Sequence, residues 1–337
     1  MQAHTLPTGY LIVDNYSKGM LETLSIGDYG KHNNVKADFL GLTREINGVP
    51  NTDCMPLSEK WVITLSTQYG CVQKCNFCDV PNVQFAGNAS FDDLARQLDN
   101  AMAMFPGVSY VERLNVHFAR MGEPIFNSNV FAFAEHMYRN KRNFRQRIET
   151  LHPVLTTSLP VGFKSLEERL QLWCNIKNEM YNGQAGLQFS INSTDDDQRN
   201  HMFGGSSISL AEFAKIAERL PEPVGRKYCL NFAYANGFEV DGKKLRTLFD
   251  PEKFMCKITP IHMNNSCREN NIETIDGYCS YHPYKLPEQS LKSAGFDVLV
   301  FIPSKDEEDG IVTCGNAILG GSTIKIVSDS VKISGVK

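Results

Sequence analysis

From about residue 61 onward, short runs of β-branched and aromatic residues alternate with stretches in which apolar residues recur every three or four positions. The runs WVITLS from Trp61, RLNVHFA from Arg113, HPVLTTS from His152, LQFSIN from Leu187, YCLNFAYA from Tyr228, MCKITPI from Met255 and FDVLVFI from Phe296 predict strands. Between them, FDDLARQLDNAMAMF from Phe91, SLEERLQLWCNIKNEM from Ser165 and SLAEFAKIAERL from Ser209 predict amphipathic helices, each able to cover one sheet face. Ser90, and Ser207 or Ser209, are the N-cap candidates, because a side-chain oxygen there accepts from the unpaired amides of a first helical turn. Repeated βα units predict an α/β fold with a parallel sheet, as an open or partial (β/α)6-type barrel whose functional residues gather at the C-terminal strand ends. Residues 1–60, rich in Asn, Gly and Asp, predict a separate small N-terminal β and loop element; 61–303 form the barrel; 304–337 form a C-terminal segment that alternates like a short strand from Gly321.

Composition narrows the class. A chain of 337 residues, 42% of them hydrophobic, is long enough for one large domain. It has no run of about 18 or more apolar residues, and its first residues lack the basic, apolar and small-residue order of a signal peptide, so a cytoplasmic protein without a membrane partner is expected. In that setting ten cysteines imply reduced thiols and metal ligation rather than disulfides. The formal net charge of -4 gives no global attraction to nucleic acid. Any RNA contact therefore needs a local patch, for which Arg139, Lys141, Arg142, Arg145 and Arg147, interleaved with Tyr138 and Phe144, are the candidates; the alternative is a solvated helix end.

The chemistry-bearing stretch is Cys71-Val-Gln-Lys-Cys75-Asn-Phe-Cys78, a C-x3-C-x2-C pattern in the loop after the first barrel strand. Thiolates are the preferred ligands of iron-sulfur clusters, and four irons need four outer ligands where this loop offers three, leaving one iron open. An open coordination position marks a reactive metal rather than a structural one. A zinc knuckle needs a fourth Cys or His at matched spacing, and the sequence places none nearby.

With Phe77 before the last cysteine, this triad resembles the radical S-adenosylmethionine (SAM) superfamily, in which the open iron of a 4Fe-4S cluster chelates SAM and one electron cleaves it to a 5'-deoxyadenosyl radical. Further stretches resemble, in order, the RlmN/Cfr family of RNA adenine methylases: Ser66-Thr-Gln-Tyr-Gly-Cys71, Met121-Gly122-Glu123-Pro124, Leu155-Thr156-Thr157-Ser158, Ser190-Ile191-Asn192 and Lys257-Ile258 through Asn264. The resemblance implies a radical SAM barrel in which Gly122, Glu123, Ser158, Ser190, Asn192 and Asn264 contact SAM. Asp309-Gly-Ile-Val-Thr-Cys314-Gly315 resembles the stretch whose cysteine carries a methyl group, which implies Cys314 as carrier; a thiolate is the right nucleophile toward a sulfonium methyl. Leu21-Glu22-Thr23-Leu24 resembles the stretch carrying the family's general base, which implies that role for Glu22. The partners implied are an RNA or nucleotide substrate and an electron donor such as flavodoxin or ferredoxin; no oligomeric state follows.

Three departures limit the likeness. The family's resolving cysteine falls on Thr64, whose hydroxyl forms no disulfide, and Cys54, in a loop before the first barrel strand, is the alternative thiol. Gly87-Asn88-Ala89-Ser90 replaces the family's arginine-asparagine-leucine motif, and the family's N-terminal accessory domain has no counterpart. The readings that remain open are methylation of an adenine through Cys314, a different hydrogen abstraction from a nucleotide or small molecule, and a non-catalytic protein that binds the cluster or SAM.

Overall fold

The first 26 residues fold as an antiparallel meander, its second and third strands buried on both faces over most of their length: β1 (Gln2–Leu6), β2 (Gly9–Tyr16) and β3 (Gly19–Ile26). These coordinates are a computed structural model, describing residues 1–6, 8–27, 45–46, 49–50, 57–275, 282–303, 310–312 and 318–322. Cys54 and Cys314 lie outside the described residues.

All seven expected barrel strands form: β4 (Lys60–Leu65), β5 (Tyr110–Phe118), β6 (Arg147–Thr157), β7 (Gly186–Ser190), β8 (Tyr228–Tyr234), β9 (Phe254–Pro260) and β10 (Val298–Val300). Each pairs in parallel with the next, so six crossovers join seven strands. The α/β class and the six βα units are as expected. The N-terminal element differs from expectation in one respect. β3 pairs antiparallel with β4, Leu24 opposite Thr64, so the meander extends the barrel sheet to ten strands in the order β1 to β10 instead of standing apart. Burial explains this, because Ile12, Tyr16 and Leu21 join the same core as Trp61 and Ile63.

The crossovers carry α1 (Phe91–Ala103), α2 (Ser128–Arg139), α3 (Leu166–Asn175), α4 (Asp196–Met202), α5 (Leu210–Arg219), α6 (Gly242–Arg246), α7 (Asn265–Glu269) and α8 (His282–Ser293). Ser90 and Ser209 close reciprocal capping boxes with Asp93 and Glu212, satisfying orphan amides at the starts of α1 and α5. Ser207 instead donates to the Ser158 carbonyl. The core lies between sheet and helices, where Trp173 of α3 meets Phe118 and Phe131 edge-on at 6.0 and 5.9 Å. Among the described residues no helix is long and apolar enough to cross a membrane.

Candidate active site at the C-terminal strand ends

The cysteine loop leaves the end of β4 and is gripped from two sides. From the crossover after β7, the Met202 and His201 carbonyls of α4 accept from Asn76 N at 2.8 Å and Asn76 Nδ2 at 2.7 Å, and Phe203 packs edge-on against Phe77 at 5.6 Å. From the crossover after β9, Asn264 Nδ2 donates to the Phe77 carbonyl at 2.9 Å and Asn270 Nδ2 to the Asn76 carbonyl at 3.1 Å. The Cys71 sulfur accepts from Gln73 N at 3.4 Å.

Cys71, Cys75 and Cys78 are reduced and partly exposed. Burial is the first cause that pushes the Cys71 thiol up to about 12 and the Cys78 thiol up to about 11, and it pushes Cys75 well above the ordinary range. Neighbouring thiols add to the rise at Cys71 and Cys75. Thiols clustered this way stay neutral unless a cation deprotonates them, which bound metal does outright. Among the described residues no group of three His, Cys, Asp or Glu side chains is already drawn together round one metal position, the three loop thiols included. A cluster spreads its ligands over separate irons, and three thiols in one short loop suit that donor set. A fourth thiol, Cys267 of α7, packs beside the loop but points its sulfur at the carbonyls of His262 and Phe77, at 3.4 and 3.6 Å.

Beside the thiols stands Glu123. Gly122 makes the turn after β5 with φ +91°, and a Cβ there would lie 2.4 Å from Gln68 Cβ, so glycine is required. The turn delivers Glu123 N to Gln68 Oε1 at 3.0 Å and carries the carboxylate into the barrel mouth. Glu123 Oε2 accepts from Ser158 N and Oγ at 2.8 and 2.7 Å, and Oε1 accepts from Ile125 N. Burial raises the Glu123 pKa, opposed by these Ser158 bonds. Such a carboxylate gains strongly from a cation set against it.

Asn192 follows β7 in the left-handed region, φ 65°, fully buried. Its Oδ1 accepts from Ala233 N at 3.0 Å, while its Nδ2 has no acceptor among the described residues. A buried amide left unpaired costs about 1–3 kcal/mol, which marks a place for a ligand acceptor. Ser190 is half-buried at the end of β7, and its carbonyl accepts from Arg199 at 2.7 Å.

Other expected residues are placed differently. Asn264 caps α7 through Oδ1 and holds the loop through Nδ2, so both ends of its amide serve the scaffold. Glu22 is fully buried, with Oε2 accepting from Arg120 Nη2 at 2.8 Å and Oε1 from the amides of Ile318 and Leu319 at 2.8 Å each. Thr64 is a half-buried strand residue between Leu24 and His117. The basic patch lies at the other end of the barrel: Arg147 begins the 11-residue β6 and Ser158 follows it, roughly 36 Å apart at strand rise. There Arg139 and Arg147 pair with Glu135 and Glu149.

Sequence reading missed Arg120, Arg199, Asp79 and Cys267. Arg199 is buried and spends its guanidinium on the carbonyls of Ser190, Ile191 and Ile208 and on Ser207 Oγ, locking the end of β7. Asp79 accepts from Ser266 N and Oγ and from Ser322 Oγ, tying the cysteine loop to α7 and the C-terminal segment.

Comparison with known proteins agrees with this arrangement. The fold matches the crystal structure of a radical SAM methyltransferase from Sphaerobacter thermophilus with a TM-score of 0.58 at 17% identity, covering 88% of this chain and 73% of that one. The sequence is 25% identical over 205 residues to a protein named probable dual-specificity RNA methyltransferase RlmN from Pseudothermotoga lettingae, covering 59% of this chain and 54% of that protein. The chain is thus similar in sequence to an RlmN protein and in fold to a radical SAM methyltransferase. It spans about half the length of the curated relative it matches. A spore photoproduct lyase mutant is a more distant likeness, with a TM-score of 0.43 at 14% identity over 70% of this chain and 74% of that one. No family model matches the chain. The thiols, Glu123, Ser158 and Asn192 follow four successive parallel strands, β4 to β7, at the same end of the barrel.

Proposed function

We propose that this protein is a radical SAM enzyme, an RlmN-like methyltransferase acting on an adenine, with Cys71, Cys75 and Cys78 holding a 4Fe-4S cluster and Cys314 carrying the methyl group. The observation that carries the reading is the Glu123–Ser158 unit beside the thiol loop. Glu123, buried and oriented by Ser158, is suited to receive the ammonium of SAM, and the unpaired Asn192 amide is suited to donate to a SAM oxygen. When bound, the cluster supplies the electron that cleaves SAM. Arg199 and Gly122 hold these groups in register, and the buried mouth limits water.

The flanks of Cys314 support its role as carrier. Ile311 and Val312 pack on Leu6, Leu11, Leu24 and Ile26, and Ile318 and Leu319 hang on Glu22. Glu22 is therefore better suited to positioning this segment than to acting as a free base. We assign residues 1–60, 61–303 and 304–337 as meander and loop, barrel, and carrier segment. The direct test is anaerobic turnover of total RNA with methyl-labelled SAM, a reductant and a flavodoxin or ferredoxin, followed by nucleoside mass spectrometry. Label on adenine carbon supports methylation. Labelled SAM consumed with label in no nucleoside favours hydrogen abstraction from another substrate, the reading that Thr64 in place of a thiol raises.

A further inference from the structure

The residue after the last cysteine of the loop is spent on two distant elements. Asp79 is fully buried and stands at the N-cap of a short turn, Val80–Asn82, yet its carboxylate bonds none of that turn's amides. An aspartate in this position ordinarily caps the turn that it begins. Here Oδ1 accepts from Ser266 N and Oγ of α7 at 2.9 and 2.6 Å, and Oδ2 accepts from Ser322 Oγ. Its partners lie 187 and 243 positions further along the chain.

Around that carboxylate the C-terminal segment is fixed at several points. Gly321, in the left-handed region with φ 89°, donates its N–H to the Ile318 carbonyl at 3.0 Å and closes a turn. Asn82 Nδ2 donates to the Gly320 carbonyl at 3.2 Å, and Asn265 Nδ2 to the Gly321 carbonyl at 3.0 Å. Leu319 packs against the main core. Asn265 begins α7, which also grips the cysteine loop through Asn264 and Asn270. The cysteine loop, α7 and residues 318–322 therefore share one set of bonds, with Asp79 the group common to all three.

We propose that Asp79 is a positioning residue that couples cluster occupancy to docking of the C-terminal segment, the stretch that follows Cys314. A cluster held by Cys71, Cys75 and Cys78 restricts the loop, so Asp79 is already fixed when Ser322 reaches it and less ordering entropy opposes docking. Coupling of this kind is reciprocal: the docked segment retains the cluster by the same factor. This rests on the reading that the three thiols hold a cluster.

Trypsin cleavage after Lys325, three residues beyond Ser322, tests it, because the protease cuts only where that stretch is released. Cutting is compared in the metal-free and the anaerobically reconstituted full chain, with iron content measured alongside and circular dichroism confirming the fold of each variant. Reconstituted wild type is expected to be cut at least about fivefold more slowly than the metal-free chain. Ser322→Ala should abolish that difference and lose iron to a chelator at least about fivefold faster than wild type. Ser322→Thr, which keeps the hydroxyl, should restore both. A hydroxyl that merely braces the segment would change the cutting of both forms alike and leave iron release as it was, and that result overturns the proposal. So does equal cutting of the two wild-type forms when iron is bound. A wild-type chain that takes up no iron overturns the functional reading and the coupling with it, whereas one that holds iron and is cut equally in both forms overturns the coupling alone.

Discussion

Arg120 and Glu22, 98 positions apart, form a buried ion pair in which Nε and Nη2 both donate to Oε2, at 3.1 and 2.8 Å. Arg120 Nη1 also donates to the Ile311 carbonyl at 2.9 Å, while Glu22 Oε1 takes the amides of Ile318 and Leu319. The pair therefore grips the chain on both sides of residues 313–317.

Removing one partner leaves the other charged and buried, a loss of about 3–5 kcal/mol. Arg120→Met is expected to lower the unfolding free energy by an amount in that range and to expose the C-terminal segment to protease. Glu22→Gln, which keeps an acceptor for the two amides, should cost less. Equal protease resistance in wild type and Arg120→Met would contradict the clasp.

Cys71→Ala, Cys75→Ala and Cys78→Ala should each reduce iron after anaerobic reconstitution from about four per chain toward none. Cys267→Ala should retain it, because that sulfur already bonds carbonyls. Loss of iron in Cys267→Ala alone would show the ligand set to be misassigned.

Much of this was legible in the chain. The seven strand runs were visible because each alternates β-branched or aromatic residues between turn signals, and Ser90 and Ser209 announced their helices through Asp93 and Glu212 three positions on. The attachment of β3 to β4 was not visible, since strand pairing depends on burial shared across 40 residues of sequence, Leu24 to Thr64. Neither Arg120 nor Arg199 carries a local pattern: Arg120 is recognisable only once distant Glu22 and the Ile311 carbonyl converge on it, and Arg199 only once the turns on either side of α4 fold their carbonyls and Ser207 Oγ onto it. Asn264 shows the converse, a motif residue whose amide also caps a helix and holds the Phe77 carbonyl, contacts that no local pattern announces.

Asn264→Ala removes that cap and the bond to the cysteine loop together. A stability loss of about 1–2 kcal/mol is expected, with faster loss of iron to a chelator than in wild type. Unchanged chelation kinetics would mean that the loop does not depend on α7.

His117 and His152 are each held down to about 3, first by burial and then by the surrounding cations. In the folded chain both stay neutral, whereas the unfolded chain protonates them below about 6.5. Their contribution is thus complete above about pH 6.5 and is lost as pH falls toward 3, by up to about 1.4 kcal/mol per pH unit for each. Urea midpoints should fall between about pH 7 and pH 5, and less steeply in His152→Gln. A slope identical in wild type and variant would refute this assignment.

The central claim is that the three thiols and the Glu123–Ser158 unit form one SAM-cleaving centre. Anaerobic reconstitution with iron and sulfide, then SAM and a strong reductant, followed by chromatography for 5'-deoxyadenosine, measures it most directly. Wild type is expected to form 5'-deoxyadenosine and methionine, Cys75→Ala none, and Glu123→Gln to assemble the cluster but cleave SAM at least about tenfold more slowly. An intact cluster in the wild-type chain with no 5'-deoxyadenosine formed would contradict the account.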